Sequence, residues 1–127
     1  MTKKVMPRTF DDMISSHPKK TQAMALKLRN LVQNSLVHTE EQIVGGAKVG
    51  LALYTDSETN KVLCGVQPTD GACLLFVHHI KNFKHPRMKL EGRGKHAKHI
   101  RFQSMDDVRE EDVRWILSEV EKLLPQG

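Results

Sequence analysis

The stretch from His78 to Arg101 concentrates the side chains that could bind an anion or a metal ion. It holds eight Lys and Arg residues against one acidic residue, Glu91, and it contains five of the seven histidines. The whole chain has a formal net charge of +5, whereas this stretch alone has +7, so the positive charge is local. Such a patch favours a ligand that carries phosphate or carboxylate groups.

Two glycines, Gly92 and Gly94, flank Arg93 within this stretch, and glycine lets a backbone approach a ligand closely. A Walker phosphate loop needs a longer glycine spacing and a Ser or Thr after its lysine, but His96 follows Lys95 here, so no nucleotide loop is predicted. The alternative is a tight turn that enters a strand. The residues predicted to bind an anion are Arg93, Lys95, His96, Lys98 and Arg101.

Two sets of residues could instead ligate a metal ion. His78 and His99 are predicted to project from one sheet face, and imidazole suits zinc and iron. Asp107 and Glu111 belong to an acidic run that offers oxygen ligands to a hard cation. The alternatives are a solvated, protonatable surface for the histidines and, for the acids, stabilisation of a helix N-terminus with Asp107 and Glu110 as a capping pair. No cofactor is expected, and iron or zinc is the alternative.

Motifs of catalysis and of export are missing from the sequence. It has no GxSxG or HExxH motif, and Cys64 and Cys73 lie in apolar runs, where reduced core residues are expected. No apolar run approaches the about 20 residues of a membrane span, and the N-terminus lacks the apolar segment of a secretory signal. We therefore expect a cytoplasmic protein that is not an enzyme and does not enter a membrane.

Hydrophobic periodicity predicts helices toward both ends of the chain. A short helix is expected from Phe10, a second one from Pro18 to about Val37, and a last one over 109–124. Residues 1–8 are aperiodic and are predicted to be flexible. The 127 residues are therefore expected to form one domain, with the N- and C-terminal helices packed together.

Between these helices, the apolar residues alternate with a period of two. Three strands joined by hairpins and a fourth over 97–103 are predicted, which gives an α+β fold with an antiparallel sheet of four or more strands and its helices on one face. The two hairpin registers agree when Leu51, Cys64 and Leu75 lie side by side on the core face.

The opposite face of this sheet is predicted to be too apolar for exposure to solvent. It would carry Leu63, Leu74 and Phe76, whereas an open sheet face is usually polar. We expect the 80–96 segment or a second subunit to cover it. A homodimer through the open sheet face is thus one predicted assembly.

Two further runs resemble the YdhG-like (DUF1801) family over about Phe10 to Leu124. They are Leu90-Glu91-Gly92-Arg93-Gly94-Lys95 and Ile100-Arg101-Phe102, and the helix pair with Pro18, Leu28, Arg29 and the exit Glu41-Gln42-Ile43 is also similar. Where the family often has an aromatic-glycine-x-proline element, this chain has Val44-Gly45-Gly46-Ala47. The resemblance implies a small cytosolic domain, and its loose grouping with frataxin-like proteins implies an iron chaperone.

The sequence thus predicts a non-catalytic cytosolic binding protein whose 78–101 patch meets an anion. That partner would be an anionic small molecule, a nucleic acid or an acidic protein. Phe83 is the single aromatic residue of the stretch, which argues against stacking of single-stranded bases. The alternatives are an intracellular iron chaperone of the frataxin-like type and a protein–protein interaction module that uses the open sheet face.

Overall fold

A computed structural model describes residues 9–45, 50–80, 83–92 and 97–123, so the predicted flexible segment 1–8 lies outside the described residues. The elements are α1 Phe10–Ile14, α2 Lys19–Ser35, β1 Thr39–Val44, β2 Leu51–Asp56, β3 Val62–Pro68, β4 Cys73–His78, β5 Ala97–Phe102, a 3₁₀ turn Met105–Asp107 and α3 Glu110–Glu121. The five strands form one antiparallel sheet in chain order. The predicted α+β fold is confirmed.

The first two helices begin as their sequences predict, and the helices cover one face of the sheet. The Thr9 hydroxyl accepts a hydrogen bond from the Asp12 amide at 3.1 Å, and Pro18 immediately precedes α2. Helices α2 and α3 contact each other and both contact β3 and β4. Their apolar residues at helical spacing are buried there. None of the helices among the described residues has the length and apolarity needed to cross a membrane.

From Cys64 onward, the hairpin of β3 and β4 keeps its predicted faces in a different register. Cys64 lies opposite Val77 and Val66 lies opposite Leu75, so the strands have slid by two residues relative to the prediction. A shift of two residues returns each side chain to the same face of a strand. Cys64 and Leu75 are accordingly both buried in the core, as predicted.

A β-bulge separates the two halves of the pairing between β2 and β3. Tyr54 lies opposite Cys64, whereas Thr55 lies opposite Val62, so Leu63 is the extra residue of β3. Leu63 is only 2% exposed and belongs to the hydrophobic core. The prediction that Leu63 lies on the open face is therefore wrong, because the extra residue turns its side chain to the core.

The same bulge inverts the predicted orientation of β2. Ala52 and Tyr54 are buried toward the helices, whereas Leu51 and Leu53 are half-buried on the opposite face. A Cβ atom on Gly65 would meet Leu51 Cδ1 at 3.1 Å and Leu53 Cδ2 at 3.3 Å, so these two side chains lie over that glycine. The prediction that Leu51 packs beside Cys64 on the core face is wrong.

Strand β1 is missing from the sequence-based prediction. Its sequence is TEEQIV, and its side chains Glu40 and Gln42 are exposed. Such polar residues are depleted in strands, but they suit the edge of a sheet, where charge discourages pairing with another chain. The edge position explains why a polar segment forms a strand here.

The open face keeps an apolar centre, and the prediction that the 80–96 segment covers it falls partly on residues 81–82 and 93–96, which lie outside the described residues. Within the described residues 83–92, Phe83 and His85 contact Trp115 of α3, so this segment packs against the helical layer. A second subunit on the open face stays a prediction. The apolar residues of that face include Val44, Leu51, Leu53, Val62, Leu74 and Phe76.

Candidate anion-binding site

The segment 83–92 lies along the outer edge of β5 and is held there at three points. Met88 is buried in the core, and Phe83 and Leu90 pack against the core. Glu91 and His99 exchange two backbone hydrogen bonds of 2.8 Å. The segment has no helix and pairs with β5 only at this one bridge. These contacts nevertheless hold its side chains in position beside β5.

The third point is the buried carboxylate of Asp112, in the first turn of α3. Arg87 binds it in a two-point fashion, with Nε 2.8 Å from Oδ2 and a terminal guanidinium nitrogen 2.5 Å from Oδ1. The Nε2 atom of His85 lies 3.4 Å from the same Oδ1. The hydrogen bonds from Arg87 hold the pKa of Asp112 below its usual range, so the carboxylate is ionised and anchors the segment to α3.

Two cavities adjoin this segment and share Lys89. The apolar cavity, as we call it, has a volume of about 380 Å³ and is lined by Phe83, Lys84, His85, Met88, Lys89, Leu90 and Lys98. The arginine cavity has about 340 Å³ and is lined by Arg87, Lys89, Glu91, Ile100, Arg101, Phe102, Asp107 and Arg109. Both volumes lie in the range of small-molecule sites.

Positive charge exceeds negative charge around these cavities. Six lysines and arginines line them, against the two carboxylates of Glu91 and Asp107. The Asp107 carboxylate is already engaged, because its Oδ2 accepts hydrogen bonds from two backbone amides at 3.0 and 3.2 Å. In the part of the chain that the structure describes, no carboxylate forms a salt bridge with Lys89, Arg101 or Arg109.

The edge of β5 adds backbone donors to this charge. In an antiparallel ladder, residues two apart direct their N–H and C=O groups the same way. His99 directs these groups outward to Glu91, so Arg101 directs its own groups to the same edge, beside the arginine cavity. An anion there would meet a backbone N–H as well as guanidinium and ammonium groups.

The structure divides the predicted anion-binding residues between the two cavities. Lys98 lines the apolar cavity and Arg101 lines the arginine cavity. Arg93, Lys95 and His96 lie outside the described residues. The sequence-based selection omitted Lys84, Arg87, Lys89 and Arg109, although the first three belong to the same basic stretch and charge alone could have included them.

The predicted metal ligands do not form a complete set within the described residues. His78 and His99 share the open face one row apart, and the His99 ring packs 5.3 Å from that of Phe76. Asp107 and Glu111 lie elsewhere, and Glu111 is 3.5 Å from Arg87. No group of three or more His, Cys, Asp or Glu side chains that could hold a metal ion occurs in the described ranges.

Asp107 has a different partner from the one that the sequence predicts. It forms a capping box with Ser104 at the 3₁₀ turn, and α3 begins after Arg109 without a side-chain cap. The predicted capping pair of Asp107 with Glu110 is therefore wrong. The chain makes an extra turn before α3, which moves the cap three residues toward the N-terminus.

A second polar cluster joins the start of α2 to the turn between β3 and β4. His17 Nδ1 lies 3.1 Å from Asp70 Oδ1, and the Thr21 hydroxyl donates to the carbonyl of Thr69 at 2.8 Å. The His17 Nε2 atom is buried and has no hydrogen-bond partner among the described residues. Because a general base must reach its substrate, this enclosed nitrogen favours a structural role.

Both cysteines are buried and unpaired, which confirms that they are core residues. Burial raises the pKa of the Cys73 thiol to about 12, and it raises the pKa of the Cys64 thiol as well. The reactive species of cysteine is the thiolate. Neither residue is therefore suited to act as a nucleophile or a metal ligand.

Comparison of the chain with family models, curated proteins and solved structures found no match. The resemblance to the YdhG-like family therefore stays a prediction.

Proposed function

We propose that this protein binds a small anionic molecule at the edge of β5 and catalyses no reaction. The observation that carries the proposal is the pair of cavities that share Lys89 and bring five cationic side chains to one edge, besides Arg87, which Asp112 already pairs. Like charges repel one another when a fold holds them together, so a bound anion would stabilise this arrangement.

The shape of the site favours a small molecule over the other predicted partners. Its cations gather around two adjoining cavities of small-molecule size, whereas nucleic acids and acidic proteins are usually met by an extended basic surface. Arginine suits a phosphate or carboxylate through two parallel hydrogen bonds, and lysine adds a point charge. We therefore favour the anionic small molecule, with nucleic acid and acidic protein as outcomes of the test.

The test is calorimetric titration of inorganic pyrophosphate into the full chain and into the triple variant Lys89→Ala, Lys98→Ala, Arg101→Ala. We expect the affinity to fall by about tenfold or more, because hydrogen bonds to charged groups contribute about 1.5–3 kcal/mol each. The matched control removes three exposed lysines elsewhere, with Lys19→Ala, Lys20→Ala and Lys61→Ala.

The control triple variant carries the same change in net charge and should bind as the parent does. The titrations are made at about 0.15 M salt, where long-range attraction between exposed charges is largely screened and only direct contacts with the anion remain. Equal affinity of the parent and the site variant for pyrophosphate under this condition would refute the proposal. If a nucleic acid or an acidic peptide binds more tightly than pyrophosphate, the partner is that macromolecule and not a small molecule.

The iron chaperone implied by the family resemblance stays an alternative prediction. Calorimetry with ferrous iron should then find a specific site that weakens in the variant His78→Ala, His99→Ala or in the variant Asp107→Ala, Glu111→Ala. We expect weak binding, because the described residues bring together no set of three ligands.

A further inference from the structure

The apolar wall of the apolar cavity is formed by side chains that belong to the hydrophobic core or pack against it. Phe83 and Leu90 are half-buried and pack against the core, and Met88 is only 6% exposed. Phe83 also packs edge-on to Trp115, with 5.5 Å between the ring centroids, and His85 contacts the same indole at 5.2 Å. An apolar group that enters this cavity would therefore meet a firmly packed apolar floor.

The lysines of this cavity are compatible with an apolar wall. A lysine side chain can lay its methylene stem along apolar surface while its ammonium group stays in water. Lys84, Lys89 and Lys98 line the cavity, no carboxylate is among its described lining residues, and its wall is more apolar than polar. In the arginine cavity the wall is more polar than apolar and includes Glu91 and Asp107.

We infer that the ligand is a phosphate monoester of an apolar, ring-sized group, with this group in the apolar cavity and its phosphate at Lys89 and Lys98. The inference rests on the proposed function and specifies the class of its ligand. Several lysines at one cavity suit a phosphate better than a carboxylate, because a phosphate monoester carries a charge of about −1.5 to −2 at neutral pH. Lys89 is shared with the arginine cavity, so Arg101 extends the field that acts on the phosphate.

The test compares phenyl phosphate with methyl phosphate, which differ in the apolar group and share the anionic head. We expect phenyl phosphate to bind the full chain about tenfold more tightly, because burial of apolar surface stabilises the complex. Trp115 is the only tryptophan of the chain, so its fluorescence should respond to the phenyl ring beside Phe83 and His85.

A variant pair locates the ring. In Leu90→Asn the preference for phenyl phosphate should fall to about twofold or less, since the wall of the apolar cavity loses apolar surface. In Leu26→Asn, which changes an exposed leucine of α2, the preference should stay as in the parent. If Leu90→Asn does not fold, NMR contacts between the phenyl protons and the Met88 methyl group of the parent would show whether the ring lies in the apolar cavity.

The outcomes separate the inference from the proposed function. Equal affinity for the two esters in the parent, or phenyl protons that do not contact Met88, would overturn the inference while anion binding stands. If the parent binds neither ester nor pyrophosphate, the proposed function fails as well. A preference for phenyl phosphate that disappears in Leu90→Asn and persists in Leu26→Asn supports both.

Discussion

The two edges of the sheet use arginine in opposite ways. At the β1 edge, Arg29 of α2 binds Glu41 through Nε at 2.8 Å and a terminal nitrogen at 3.0 Å. The buried hydroxyl of Tyr54 donates to the same carboxylate at 2.7 Å, and the Arg29 guanidinium also lies 4.9 Å from the centre of the Phe10 ring. This cluster is matched in charge, so it has a structural role.

Among the residues described at the β5 edge, only the ion pair of Arg87 with Asp112 is matched in charge. Asp112 satisfies Arg87, but Lys89, Arg101 and Arg109 face a cavity without a salt-bridge partner in the described ranges. The surroundings of an arginine therefore bear on its role: the paired guanidinium of Arg29 holds the fold, whereas the surplus cations around the β5 cavities support the proposed binding site. Each prediction below changes one side of this comparison.

The largest expected effect on stability comes from Glu41→Ala at the matched edge. The change leaves the hydroxyl of Tyr54, a residue that is 1% exposed, without its acceptor, and an unsatisfied buried donor costs about 1–3 kcal/mol. Denaturant unfolding should show a loss of about this size, while pyrophosphate binding is unchanged. The control is Glu40→Ala, an exposed neighbour on β1, and an equal loss in both variants would contradict the matched cluster.

Asp112→Asn should cost less, about 1–2 kcal/mol at neutral pH, because its partner Arg87 is partly exposed. The folded state lowers the pKa of Asp112, so its stabilisation is present above the unfolded pKa of about 3.9 and is lost as pH falls through the lower, folded pKa. The part of the stability difference that comes from the Asp112 charge should therefore be present at neutral pH and shrink below about pH 4. Asp106→Asn is the exposed control. If the difference in the free energy of unfolding between the parent and Asp112→Asn persists at low pH, the ionised Asp112 carboxylate is not what anchors Arg87.

The fold was largely predictable wherever local pattern and tertiary structure agree. Strand β5 follows the alternation of Ile100 and Phe102, and the hairpin of β3 and β4 keeps its predicted faces from Cys64 onward. The face of β2 was not predictable, because Leu51 and Tyr54 are both apolar and only the bulge decides which of them is buried. Strand β1 was missed because its glutamates are typical of an edge strand and do not show the apolar alternation of a strand that packs on the core.

The candidate site was predictable in its charge but not in its architecture. Lys98 and Arg101 follow from the basic stretch, whereas the anchor of Arg87 on Asp112 joins residues 25 positions apart. Arg109 lies beyond the basic stretch and reaches the arginine cavity only through the turn before α3. Contacts of this kind depend on how loops pack, for which the sequence has no periodic signal.

The smallest effect on stability is expected for Tyr54→Phe, about 1 kcal/mol, because one hydrogen bond is lost and no charge changes. The same residue has a spectroscopic signature, since it is the only tyrosine of the chain. Burial, followed by its bond to Glu41, raises the pKa of Tyr54. Ultraviolet titration of the folded protein should show no ionisation at the ordinary value of about 10, which should return in urea. Ionisation near that value in the folded state would contradict the matched cluster.

The most direct test of the contrast between the edges is an NMR titration of the full chain with inorganic phosphate, followed at each backbone amide. The account predicts that saturable shifts concentrate at Lys89, Lys98, Arg101 and Arg109, and that Glu41 and Tyr54 at the matched edge do not move. Shifts of equal size at the β1 edge, or at exposed lysines such as Lys19 and Lys20, would show that phosphate meets only general surface charge, which contradicts a binding site at the β5 edge.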